Sequence, residues 1–161
     1  MKKGLLLAAL ALVFLTGCGG QADAGGAEDA DVALSSLYAG MEAACGWGED
    51  YMTALEGDLL EGYYPGLSGL PAKQLVAMVP AMSSDVNEIV LFQGETEEDA
   101  ESAAAIFQAR IDSQIEGGAW YPESLEAWKS ARVLRQGTYA ALIASGAFQT
   151  ELEEQVSAAL S

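Results

Sequence analysis

Residues 88–93, Glu-Ile-Val-Leu-Phe-Gln, constrain this chain more than any other stretch. They are rich in apolar and β-branched types and stop at Gly94, which predicts a strand. Two residues later Thr96 predicts a helix N-cap, with Glu97, Glu98 and Asp99 in the first turn, where the helix dipole favours anions. Ala100, Ala104, Phe107, Ile111 and Ile115 then form one apolar stripe at steps of three and four, ended by Gly117-Gly118. A strand leading directly into a long amphipathic helix commits the chain to a sheet and helices sharing a core.

The flanking segments extend this pattern. Val32 to Ala44 reads as a helix capped by Asp31, with Leu34, Leu37, Tyr38 and Met41 on its apolar face. Cys45 closes that face and reads as a small buried hydrophobe, since no basic neighbour lowers its pKa. A short helix around Ala54 to Glu61 and a turn at Tyr63-Tyr64-Pro65-Gly66 are expected next. Pro71 and Pro80 bracket a further predicted helix. After the central helix, Pro122 opens a short one carrying Leu125 and Trp128. Arg132–Gln136 and Thr138–Ala144 flank Gly137 as a hairpin. Ala147 to Leu160 closes the chain as a helix with Phe148, Leu152, Val156 and Leu160 at steps of four. The expected class is α+β, with a small antiparallel sheet of about three strands packed against several helices.

The N-terminus carries an address. Met1-Lys2-Lys3 is a positive start, and the 13 residues Gly4–Thr16 are apolar, too few for a stable span of about 20 residues. The run ends Leu15-Thr16-Gly17-Cys18, a sequence that looks like a lipobox: an apolar residue, two small residues, and the cysteine that receives diacylglycerol. Residues 1–17 are therefore expected to be a lipoprotein signal peptide, and Cys18 a lipidated, palmitate-bearing first residue. Two long acyl chains exceed the roughly two-signal threshold for stable attachment. The expected location is the extracytoplasmic face of a cell membrane. Residues 18–31 hold no large apolar side chain and read as a flexible tether, its 13 residues from Gly19 to Asp31 reaching about 20 Å. Residues 32–161 then form one domain.

Charge and composition exclude several functions. Without Lys2 and Lys3 the chain holds five basic and 24 acidic residues. Such a surface repels nucleic acid and anionic headgroups. There is no histidine, hence neither the commonest general base nor the commonest transition-metal ligand. Gly-x-Ser-x-Gly, Ser-x-x-Lys and a phosphate-cradling glycine loop do not occur. The acidic cluster Glu95, Glu97, Glu98, Asp99 and Glu101 lacks EF-hand spacing, and the helix dipole accounts for its first-turn acids without calcium. No metal and no cofactor are expected.

Glu88 and Arg110 are the most informative polar residues, one opening the strand and the other beside the helix stripe. A bidentate pair between them reads first as a pin of helix to sheet, and second as a clamp for a ligand carboxylate. Tyr63-Tyr64-Pro65 and Trp120-Tyr121-Pro122 are aromatic pairs before proline. Tyr64, Trp120 and Tyr121 read either as plugs at the edge of the core or as surfaces that stack on sugars or peptides.

Three stretches of the domain resemble a known family. Met78–Phe92 is a proline-and-methionine segment leading into an acidic residue and a strand. Ala109-Arg110 through Gln114 places an arginine and then a glutamine in the long helix. Trp120-Tyr121-Pro122 precedes the hairpin at Gly137. With the lipobox and tether, these resemble bacterial lipoproteins of domain-of-unknown-function family 4358, over about Ala33 to Leu160. The resemblance implies a cell-surface lipoprotein, often of Gram-positive bacteria, and carries no activity. The connection after the first strand, Gly94-Glu95, is shorter and more acidic than is usual in that family.

The leading functional expectation is a membrane-anchored binding or accessory domain without catalysis, contacting a protein, a cell-wall component or a small ligand. An extracytoplasmic hydrolase using carboxylates, and a solute-binding component of a transporter, are the alternatives. A deep cleft with convergent buried carboxylates favours the hydrolase, whereas a shallow, aromatic-lined face without perturbed acids favours the binder.

Overall fold

Five antiparallel strands form one sheet in the order β1-β2-β3-β5-β4, and helices cover both of its faces. The structure, a computed structural model, describes residues 31–161. The leader, Cys18 and the tether as far as Ala30 lie outside the described residues. The elements run α1 (Leu34–Cys45), β1 (Met52–Ala54), α2 (Gly57–Tyr63), β2 (Ala72–Pro80), β3 (Asn87–Gly94), α3 (Glu97–Ser113), α4 (Pro122–Ser130), β4 (Arg132–Gln136), β5 (Tyr139–Ser145) and α5 (Gln149–Ala159). Among the described residues, no helix is long and apolar enough to cross a membrane.

β3 is the central strand, and all eight of its residues are buried. Strand side chains alternate between faces. Val90 and Phe92 join Tyr64, Phe107 and Trp128 in the core beneath α2, α3 and α4. Ile89 and Leu91 join Leu34, Met41, Leu152 and Val156 in the second core beneath α1 and α5. Each fully buried large side chain contributes about 1.5–3 kcal/mol of transfer free energy. Thr96 is the predicted N-cap and forms a capping box, accepting from the Asp99 amide at 3.2 Å while Asp99 accepts from the Thr96 amide at 2.9 Å. Gly94 permits this tight exit, since a Cβ there would lie 2.5 Å from the Asp99 Cβ and 3.0 Å from the Thr96 carbonyl oxygen. The hairpin turns on Gly137 at φ 53°.

Several expectations are corrected. The sheet has five strands rather than about three, because β2 comes from a segment read as helix and β1 from one that carried no strand reading. The bracketed stretch between Pro71 and Pro80 is β2, pairing β3 from Ala72↔Gly94 to Met78↔Ile89. Pro80 lies beyond the β3 register and pairs only β1, at Met52, so its missing N–H interrupts no β3 bond. The helix placed at Ala54–Glu61 begins at Gly57, and a 3-10 turn over Leu67–Gly69 follows it. α1 starts at Leu34 and has no side-chain cap. Asp31 instead accepts from the Gln93 side-chain amide at 2.7 Å and stands 3.8 Å from the Lys73 ammonium. α3 runs into a π turn at Gln114–Gly118, which leaves Ile115 exposed rather than on the buried stripe. Leu37 and Ala104 are half-buried. Cys45 is half-buried, and loss of hydration together with the Glu151 charge pushes its thiol up to about 11.

Candidate functional site

The alternation that sends Val90 and Phe92 under α3 also sends Glu88 there, at the beginning of β3. Arg110 sits on α3 between the buried Phe107 and Ile111, at the edge of the apolar stripe. The two meet as a bidentate pair: Nε donates to Glu88 Oε1 and Nη2 to Oε2, both at 2.9 Å. Their side chains are 17% and 5% exposed, so water screens the pair poorly.

Tyr64 completes the arrangement from below. It is fully buried, edge-on to Phe107 at 5.7 Å, and its hydroxyl donates to Glu88 Oε1. Burial first, and the charge of Glu88 second, push its phenol well above the ordinary range. Arg110 lies between two rings, 4.6 Å from the Tyr63 centroid and 5.3 Å from that of Trp128. Burial pulls the guanidinium pKa down, but the hydrogen bonds and charge of Glu88 outweigh it and hold the group above its usual value. The result is a guanidinium fixed between aromatic faces and locked at one edge by a carboxylate.

This pair forms part of the lining of a cleft of about 580 Å³. One wall is the end of β2 and the β2–β3 connection, with Pro80, Ser83 and Asp85. The opposite wall is the turn after α3 and the start of α4, with Gln114, Trp120, Tyr121 and Ser124. Tyr63 and Trp128 also line it. Trp120 is 88% exposed and Tyr121 63%, an unusual placement for two large aromatics. Pro122 at the first turn of α4 holds them in the extended segment that precedes that helix.

Asp85 is fixed from behind. Its carboxylate accepts from the Tyr51 hydroxyl at 3.1 Å, and that hydroxyl accepts from the Asn87 amide at 2.6 Å. Asn87 Oδ1 accepts from Ser145 at 2.6 Å, whose oxygen accepts from the Phe148 amide at 2.9 Å. Tyr51 stacks on Trp47, with centroids 5.4 Å apart, and Trp47 meets Phe148 edge-on at 6.0 Å. A chain of hydrogen bonds thus runs from the start of α5 to the cleft wall.

Glu88, Arg110, Trp120 and Tyr121, singled out from sequence, line this one cleft, while Tyr64 supports its floor as a core residue. Tyr63, Asp85 and Gln114 were not anticipated as lining. Tyr63 belonged to a recognised aromatic pair, whereas Asp85 carries no periodic or spacing signal. Trp128 was expected to face inward, and it does so at the cleft floor. The acidic cluster Glu95–Glu101 forms no cleft wall, and among the described residues no group of three or more His, Cys, Asp or Glu is placed to hold a metal ion.

Comparison with known proteins gives one match. The family model described as "Domain of unknown function (DUF4358)" matches residues 49–145, a span that runs from before β1 to the end of β5 and includes every cleft residue named above. No curated protein and no solved structure matches the chain.

Proposed function

The chain belongs to the DUF4358 family, and on that premise we propose that it is a membrane-anchored, extracytoplasmic lipoprotein whose domain binds a ligand in the aromatic cleft and catalyses nothing there. One observation carries the binding reading. The buried Arg110–Glu88 pair opens into a cleft rimmed by Trp120 and Tyr121, which are left exposed at a cost that packing does not explain. A pin serving only stability has no need of such a rim. The cleft volume falls within the roughly 300–1,000 Å³ of small-ligand sites.

The same geometry weighs against a carboxylate hydrolase. Glu88 has both oxygens engaged, by Arg110 and Tyr64, and Asp85 is tied to Tyr51. General acid–base chemistry on a glycoside uses a pair of carboxylates free to exchange protons with substrate and water, and these two are instead committed to protein partners. A transporter solute-binding role finds no support in a single small domain. The membrane anchor rests on the Lys2-Lys3 start, the short apolar run and the Leu15–Cys18 tetrapeptide.

Two experiments test this reading. Mass spectrometry of the native protein is expected to find diacylglycerol on Cys18, and an unmodified thiol there removes the anchor. A photo-crosslinking residue at position 120 in the full chain is expected to capture a specific partner in the native host, whereas one at Leu59, exposed outside the cleft, does not. Capture at position 120 no greater than at position 59 overturns the binding reading.

A further inference from the structure

Resting on the reading of the cleft as a binding site, we infer that its ligand presents an organic cation, an ammonium or guanidinium group, to the Trp120–Tyr121 rim and Asp85. Three observations converge on this chemistry.

The first is the charge balance of the lining. Arg110 is its one cation; the carboxylates are Glu88 and Asp85. Glu88 consumes the charge of Arg110 along one edge, and two rings cover its faces. An anion entering the cleft meets a guanidinium whose charge Glu88 already balances, with Nη1 alone left without a hydrogen-bond partner among the described residues. Asp85, in contrast, lines the cleft held by the neutral donors Tyr51 and Ser84, and no cation among the described residues pairs with it.

The second is the aromatic surface. Trp and Tyr faces attract cations through their quadrupoles, and the attraction grows as water is removed. The cleft already demonstrates this chemistry on itself, because its floor holds a guanidinium between Tyr63 and Trp128 with a carboxylate at its edge. The two walls repeat the ingredients, with Trp120 and Tyr121 on one and the carboxylate of Asp85 on the other, and no cation among the described residues lines either.

The third is the long-range field. The chain carries a net charge of −17, and a field of that sign concentrates cations at the mouth and repels anions. A neutral sugar gains from the aromatic faces but from neither the field nor Asp85.

The test is titration of the full chain, followed by NMR of the tryptophan indole N–H signals. The probes are tetramethylammonium, acetyl-arginine amide, cellobiose and inorganic phosphate. Saturable shifts of the Trp120 signal with either cation, weakened by added salt, are expected. A response to acetyl-arginine amide alone identifies a basic side chain as the source, and a response to tetramethylammonium a quaternary head group. Asp85→Asn, which keeps an acceptor for Tyr51, is expected to weaken cation binding about fivefold, and Trp120→Ala, followed at the indole of Trp128 in the same cleft, by a similar factor. Saturable binding of cellobiose or phosphate instead overturns the cation while leaving the binding reading intact. Cation binding indifferent to salt and to both substitutions overturns it too. Silence with all four probes also counts against the cation, and the binding reading then stands or falls on the position 120 crosslink.

Discussion

The two ends of β3 bury polar side chains by different means. At its C-terminal end Gln93 is fully buried among neutral or exposed partners: it accepts from Gln74 at 2.6 Å and donates to Asp31. Gln74 in turn accepts from the Leu34 amide and donates to the Val32 carbonyl, at 3.0 and 2.9 Å. That end is a clasp of amides that fixes the first described residues to the sheet. At the N-terminal end Glu88 brings a full charge into the core and meets a full charge there, with a cleft above it. Among the described residues no buried side-chain nitrogen or oxygen lacks a hydrogen-bond partner, so both ends are satisfied. The difference lies in what each end requires. Amides are satisfied by hydrogen bonds that need no counter-charge in the core, whereas an ion pair is an expensive way to join helix to sheet and is commonly matched by apolar residues. An expensive pair under an open cleft argues for use, and an inexpensive clasp under helices argues for assembly.

The largest effect is expected from unpairing the charges. Arg110→Met strands the Glu88 carboxylate and is expected to cost about 3–5 kcal/mol in urea unfolding. The double substitution Glu88→Leu with Arg110→Met is expected to recover most of that loss while leaving the cleft unable to bind. Recovery of both folding and binding would make the ion-pair end as purely structural as the amide end, and the contrast would disappear. Gln93→Leu at the other end removes an acceptor and a donor and is expected to cost about 1–3 kcal/mol, with no change in cleft binding. Tyr64→Phe is expected to cost about 1–2 kcal/mol by removing a donor to a buried carboxylate.

That last variant also carries a pH signature. The Tyr64 phenol is raised in the folded state, so its contribution is complete below the unfolded phenol pKa and fades as pH rises through the folded one. Stability of the parent chain should therefore decline in the alkaline range above the ordinary tyrosine pKa, and Tyr64→Phe should decline less steeply. Equal slopes would show that Tyr64 is not protected by burial. The smallest effect is expected at the rim: Trp120→Ala should change stability by under about 0.5 kcal/mol while weakening binding in the cleft.

The sequence made much of the fold legible, and the failures have one cause. β3, α3 and the Gly137 hairpin each carry a strong local signal: an apolar run, a capping box, a glycine between short strands. β2 carried none. Helices cover both faces of the sheet, so Leu75, Val76, Met78 and Val79 are all at least half-buried, and the alternation that marks a one-sided strand is lost. With prolines at both ends, the stretch resembled a bracketed helix. β1 has only three residues, too few for any period, and exists because β2 offers it an edge. Glu88 and Arg110 were legible because charges beside apolar runs demand partners. Tyr64 beneath them was legible as an aromatic at a turn that plugs the core, but its bond to Glu88 was not, since the two are 24 residues apart and no local spacing joins them.

The amide clasp has a mechanical consequence. Asp31 and Val32 are tied to Gln93, Gln74 and Tyr139, while the cleft begins at Glu88, about 17 Å away along the same strand. A pull on the chain ahead of Asp31 loads those tethering bonds first. The strand between is laced to a neighbour on each side and bears the remaining tension as shear. The arginine and its rings sit at the unstressed tip, so tugging at the root leaves the gripping end in shape.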